Sequence, residues 1–259
     1  MSQKPLATIA TAIALSIGTV AFGLAGGAAA QAAPVKNIVL VHGAFADGSG
    51  WRQVSDILRK DGYNVAIVQN PLTSLADDVA ATKRVLDLQT GPSILVGHSY
   101  GGVVISQAGT ADNVAGLVYI AAFEPDKGES LGSLAASKPS ATKGITATKD
   151  GFLYLDPKVF HADFAADLSK AYADYMARSQ VLVAQAAFGA PVTDPAWRVK
   201  KSWAMVATED RAINPDLERS MAQRAGSTTV EVKASHVAYI SQPKKVAQLI
   251  EAAAKASGN

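Results

Sequence analysis

The sequence predicts an α/β protein: a mostly parallel sheet flanked by helices on both faces. Three observations carry this. Six short apolar runs recur along the chain, at residues 36–41, 64–68, 93–96, 114–122, 203–207 and 229–232. Their apolar residues run consecutively instead of alternating, as in strands buried on both faces. Helical patterns of about ten to fifteen residues separate most of them, the spacing of parallel strands with helical crossovers. Length and composition permit such a fold. The chain has 259 residues, 49% of them hydrophobic and only 18% charged, enough for one large core and too apolar for extended disorder.

Residues 1–32 come first and read as an address. Lys4 precedes an apolar run from Leu6 to about Leu24, and small residues follow up to Ala32. This is the three-part plan of a secretory signal peptide, with cleavage expected after Ala32. The mature chain is then residues 33–259, exported to the periplasm or the medium. A retained anchor is the rival, but the run is rich in Gly, Ala and Thr and ends in a cleavage pattern. No stable membrane insertion is expected once the signal is gone.

The elements of the mature chain follow in order. After the first strand, residues 51–60 place Trp51, Val54 and Leu58 on one helical face. The second strand leads to a helix at 74–88. There Ser74 is the N-cap, Asp77 and Asp78 favour the positive first turn, and Leu75, Val79 and Leu86 point inward. The third strand runs into a glycine-rich turn and a helix at 103–108, and the fourth strand follows. Past the fifth strand, Asn214-Pro215 opens a helix and Gly226 closes it. The sixth strand precedes a last helix at 243–254, with Val246, Leu249 and Ile250 on one face. One stretch, about 124–198, breaks the alternation. It starts with polar loops and continues with a helical pattern through Phe164, Leu168, Tyr172, Tyr175, Met176 and Val183. This reads as an inserted small helical cap on the carboxyl edge of the sheet.

Composition narrows the chemistry. With no cysteine, a disulfide framework, a thiolate metal site and a cysteine nucleophile are all excluded. A formal charge of only +2 gives no basic stripe for releasing phosphate counterions, so nucleic acid is not the expected partner. The four histidines have no ligand spacing, so no metal is expected, and no cofactor.

The sharpest motif is Gly97-His98-Ser99-Tyr100-Gly101, followed by Gly102, between strand SILV and helix VVISQA. A turn this tight holds the serine in a strained conformation, and a Cβ at Gly97 or Gly101 would collide with its neighbours. A phosphate loop would need a lysine that is not there. Ser99 is the expected nucleophile, and it needs a base. His42 directly follows the first strand, His98 points into the support of the turn, and His161 lies in the cap. That leaves His236, four residues after the sixth strand. A carboxylate must orient its ring. The fifth strand ends at Glu209-Asp210, whose side chains leave in opposite directions; Asp210 is chosen. The oxyanion hole needs two N–H groups. Tyr100, after the nucleophile, supplies one. The loop His42-Gly43-Ala44-Phe45 supplies the other at Ala44, with Gly43 letting the backbone approach and Phe45 walling the mouth.

The order Ser99, Asp210, His236 is that of the α/β-hydrolase fold. More narrowly, VHGAFADGSGW, PLTSLADDV, LVGHSYGG, GLVYIAAF and TEDRAINP...SHV resemble the branch holding plant methylesterases, hydroxynitrile lyases and bacterial carboxylesterases of the pyrethroid-hydrolase type. The resemblance implies an eight-stranded sheet, two strands more than the runs counted above. It implies the same site roles: Ser99, Asp210 and His236 as the triad, and Ala44 and Tyr100 as oxyanion donors. The expected activity is serine hydrolysis of a small or medium apolar carboxylic ester through an acyl-serine, with a small-molecule ester as partner. Phe160, Phe164, Tyr172 and Phe188 supply the apolar character of the cap. A lyase of the hydroxynitrile type would carry a lysine after the base, where this chain has Val237. A non-catalytic binding protein would have lost a triad member, and none is lost. A monomer or weak homo-oligomer is expected, since composition gives no sign of a large exposed apolar patch.

Overall fold

The computed structural model describes residues 1–2 and 35–258. The expected export signal therefore lies outside the described residues, save Met1 and Ser2. The chain alternates at first: β1 (Asn37–Val41), α1 (Arg52–Lys60), β2 (Asn64–Val68), α2 (Leu75–Asp87), β3 (Ser93–Ser99), α3 (Gly101–Ala108) and β4 (Val114–Ala122). The inserted region holds α4 (Leu131–Ser137), β5 (Ile145–Ala147), β6 (Phe152–Leu155), α5 (Pro157–Phe164), α6 (Lys170–Ser179), β7 (Val183–Ala184) and α7 (Gln185–Gly189). The alternation resumes with β8 (Ser202–Ala207), α8 (Pro215–Ala225), β9 (Thr228–Val232), α9 (Ala238–Ser241) and α10 (Pro243–Ala256).

Six strands form the main sheet in the order β2-β1-β3-β4-β8-β9, all pairs parallel. They are the six apolar runs of the sequence. The two further strands implied by the resemblance are not among the described residues. β1 and β3 are buried along their whole length, because helices cover both faces. Fully burying a Leu or Ile side chain contributes roughly 1.5–3 kcal/mol. Leu95, inside β3 and wholly buried, would leave a cavity costing about 2–5 kcal/mol if cut back to Ala.

Local signals set the element ends. The Ser74 side chain accepts the Asp77 N–H at 3.0 Å and opens α2. Asn214 caps α8 ahead of Pro215, and Gly226 closes it in the left-handed region at φ 68°. Two details differ from the sequence reading. Trp51 closes a 3-10 turn (Gly48–Trp51) that Asp47 caps, and α1 begins one residue later. The cap carries its expected helices and also a three-stranded antiparallel sheet in the order β5-β6-β7. These strands are two to four residues long, too short for any periodicity to show, and β5 is exposed throughout.

Parallel strands put all their carboxyl ends on one edge. Val41 of β1 pairs with Gly97 of β3, so the loop after β1 lies beside the turn after β3. The loops after β8 and β9 open on the same edge, and the cap connects there after β4.

Candidate active site

Ser99 ends β3 with φ 55°. A non-glycine residue in the left-handed region is uncommon and stores backbone strain. The surrounding glycines make the turn possible. A Cβ on Gly97 would lie 2.5 Å from the Gly101 carbonyl oxygen, and one on Gly101 would lie 2.7 Å from the Val41 carbonyl oxygen. Ser99 is only 7% exposed.

The structure brings Asp210 and His236 together. His236 Nδ1 lies 2.5 Å from Asp210 Oδ2, and both side chains are buried. The other oxygen, Oδ1, accepts the backbone N–H groups of Ala212 at 2.7 Å and Ile213 at 2.9 Å. The carboxylate is thus held from both ends, with Nδ1–H directed at it and Nε2 left as the ring's free nitrogen. Glu209, its neighbour, turns outward and sits 3.5 Å from Lys233 with both side chains exposed. Among the described residues Ser99 Oγ makes no hydrogen bond to the ring; such bonds are often long until substrate is bound.

The other histidines have structural partners. The Asn70 N–H donates to His42 Nε2 at 2.9 Å, so Nδ1 carries the proton and donates to the Gly43 carbonyl at 2.8 Å. Burial keeps the His42 pKa below its usual value. His98 Nε2 donates to the His236 carbonyl at 2.9 Å. Desolvation, and then the neighbouring His236, hold His98 neutral by pushing its pKa well down. That fixes the backbone of His236 from beneath. In the cap, His161 Nε2 donates to the Leu168 carbonyl at 3.1 Å.

The loop after β1 packs against the serine. A Cβ on Gly43 would lie 2.7 Å from Ser99 Cβ. Asn70 ties this loop down a second time, its Nδ2 donating to the His42 carbonyl at 2.9 Å. Ala44 and Tyr100 therefore belong to the two backbone segments that meet at Ser99.

An aromatic wall covers the site. The Phe164 ring lies 4.7 Å from the His236 ring and 6.4 Å from Phe45. Phe188 lies 6.1 Å from Phe45 and 5.9 Å from Tyr100. Phe160 is fully buried behind Phe164, 4.8 Å from it. Tyr172 is 40% exposed and lines a shallow groove with Phe45, Tyr175, Met176 and Tyr239. Among the described residues no group of three or more His, Asp or Glu is placed to hold a metal ion. Nor is any described helix long and apolar enough to cross a membrane.

The sequence pattern of the alpha/beta hydrolase family matches residues 38–249. The chain belongs to that family. Two curated relatives share its sequence. A carbendazim hydrolyzing esterase of Nocardioides sp. is 37% identical over 117 residues, 39% of this chain. The match spans 47% of that relative, about half its length. A pyrethroid hydrolase of Sphingobium wenxiniae is 28% identical over 249 residues, covering 83% of this chain and 86% of that one. Among solved structures, a pyrethroid hydrolase from Sphingobium faniae superposes with a TM-score of 0.72 at 23% identity, over 86% of this chain and 98% of that one. At that identity the likeness speaks for the fold. In this α/β-hydrolase the branch named from motifs is the branch in which the relatives fall.

Several residues around the site escape sequence reasoning. Asn70, Asp163 and Asp167 lie on loops or in the cap, where no spacing links them to it. Asp78 carried a readable signal: it follows Leu75 by three residues and shares its inward face, where a carboxylate is out of place.

Proposed function

We propose that this α/β-hydrolase is a serine carboxylesterase acting on small or medium apolar carboxylic esters. The observation that carries the reading is the buried His236–Asp210 pair at 2.5 Å, on the same sheet edge as a serine held at φ 55°. In this reading Ser99 Oγ attacks the ester carbonyl carbon while His236 Nε2 takes its proton. Asp210 stabilises the imidazolium that forms. The N–H groups of Ala44 and Tyr100 donate to the developing oxyanion. The tetrahedral species collapses, and the alcohol leaves with the proton from His236. Water then repeats the sequence on the acyl-serine, with His236 as base, and releases the acid.

The rings of Phe45, Phe164 and Phe188 favour an apolar acyl or alcohol group, since they offer contact area and no charge. The relatives named for carbendazim and for pyrethroids support an ester or ester-like substrate of that character. Export is proposed too, on the pattern of residues 1–32; N-terminal sequencing of the secreted protein should begin at Ala33.

The test is labelling with a fluorophosphonate followed by peptide mapping. Labelling at Ser99, absent in Ser99→Ala, is the expected result, together with a loss of turnover on an ester panel of roughly 10⁶-fold. A folded protein that takes no label and hydrolyses no ester would overturn the assignment in favour of a binding role.

A further inference from the structure

Asp78 is wholly buried on α2, and its two oxygens have different tasks. Oδ2 accepts the Tyr100 hydroxyl at 2.7 Å. Oδ1 accepts the Leu72 N–H at 2.8 Å. Leu72 is itself buried and sits at φ 58°, a conformation a leucine adopts only when its surroundings enforce it. Its carbonyl accepts the N–H of Ala184, in β7 of the cap, at 2.8 Å. One residue on, the chain enters α7, which brings Phe188 to 5.9 Å from the Tyr100 ring. The links close a circuit: Tyr100 to Asp78, Asp78 to Leu72, Leu72 to the cap, and the cap back to Tyr100.

We propose that Asp78 is a positioning residue that ties the seating of the cap to the backbone N–H of Tyr100. This rests on the assignment of that N–H as an oxyanion donor. A buried carboxylate is an expensive way to fill space. Among the described residues no cation acts on Asp78; burial pushes its carboxyl up to about 6, and the two hydrogen bonds only partly offset this. A leucine would fill the volume at less cost. What the carboxylate adds is two acceptors fixed in direction, one toward the residue after Ser99 and one toward Leu72, the loop residue whose carbonyl holds the cap.

The test compares wild type with Tyr100→Phe, Asp78→Ala and Asp78→Asn. Each is assayed for kcat and KM on p-nitrophenyl butyrate, for melting temperature, and for inhibition by an aryl trifluoromethyl ketone. Ser99 would add to that ketone to form a hemiketal, its proton passing to His236, and the resulting oxyanion reports on the hole. Tyr100→Phe and Asp78→Ala should lower kcat about 10- to 100-fold, the size of a small misplacement at a reacting centre. Affinity for the ketone should fall by a similar factor while KM stays within about threefold. Asp78→Asn should recover most of the loss, because its oxygen still accepts from Leu72 and its amide donates to the Tyr100 oxygen. Phe188→Ala should couple with Asp78→Ala, the double variant losing less than the product of the singles. The inference is overturned if the folded Asp78→Ala protein binds the ketone as wild type does, or if only KM rises. A wild type that hydrolyses the ester and labels at Ser99, with unaffected variants, sinks this inference alone. A wild type that does neither sinks the esterase reading as well.

Discussion

Asp167 of the cap grips Ser235, the residue before His236. Its Oδ2 accepts the Ser235 N–H at 3.0 Å, and its Oδ1 accepts the Ser235 hydroxyl. Asp163, four residues earlier, accepts from Arg211 Nε at 2.8 Å, and Arg211 follows Asp210. Two cap carboxylates therefore hold the immediate neighbours of both members of the Asp210–His236 pair. The segment that bears Phe160 and Phe164 is fixed to the same loops that carry the proposed acid and base.

Removing one of these grips should cost rate more than stability. Asp167→Ala should lower kcat on p-nitrophenyl butyrate about tenfold, as the histidine loop loses its outer support. Two hydrogen bonds at roughly 1 kcal/mol each correspond to a melting shift of about 4–8 °C in a chain this size. Asp167→Asn keeps one acceptor oxygen and should fall between the two. Unchanged kcat with a lowered melting temperature would make the contact purely structural.

The adjacent carboxylates Glu209 and Asp210 should separate cleanly. Asp210→Asn leaves the shape intact but removes the charge that fixes the tautomer of His236, and a loss of about 10⁴-fold in kcat is expected. Glu209→Gln disturbs only an exposed contact to Lys233, worth at most about 1 kcal/mol of stability, and should leave kcat within about twofold. Steady-state kinetics on both purified variants decide it; the reverse ranking would move the acid one residue back.

Stability should fall as pH rises through neutrality, and Glu124 is one cause. It is buried beyond the end of β4, with Ser227 Oγ donating to its Oε1 at 2.7 Å. Burial first of all pushes its carboxyl from 4.5 up to about 8. The folded state then holds a proton that the unfolded chain has released. The stabilisation is complete below about 4.5 and is lost as pH climbs toward about 8, by at most roughly 1.4 kcal/mol per pH unit. Glu124→Gln should flatten that part of the curve and melt higher than wild type at pH 8.5. Denaturant unfolding at pH 5, 7 and 8.5 would read it, and identical slopes in both proteins would rule the assignment out.

Much of this was legible in the chain because each feature has a local cause. The strands are apolar runs, Ser74 and Gly226 are caps whose chemistry acts within one turn, and the serine turn needs its glycines within a few residues. Asp210 and His236 were found by where strands end. What stayed hidden depends on contacts far apart in sequence. Asp78 shows itself in sequence only as a carboxylate on the inward face beside Leu75; its partner Tyr100, 22 residues away, does not show. Nothing in the sequence marks Asp163 and Asp167, because no spacing links them to the loops that they hold. The cap sheet was missed because pairing, not pattern, defines strands of two to four residues.

Gly43 offers a test of how closely the two proposed oxyanion segments must meet. Its backbone lies outside the left-handed region, so alanine is sterically acceptable to the chain itself. The obstacle is the space beside it. A Cβ there would stand 2.7 Å from Ser99 Cβ and 2.9 Å from the His98 carbonyl oxygen. Neither neighbour is the free end of a flexible side chain, and His98 is also pinned to the His236 carbonyl. The loop after β1 must therefore back away, carrying the Ala44 N–H with it. Losing one oxyanion donor costs roughly 10²–10³ in kcat, and Gly43→Ala should approach that figure while KM changes little. The overpacking itself should cost about 1–3 kcal/mol of stability, small enough for the variant to be purified and its kcat read directly. Wild-type turnover in a folded Gly43→Ala protein would mean that Ala44 is not a donor, and the second N–H would have to be sought elsewhere along the carboxyl edge.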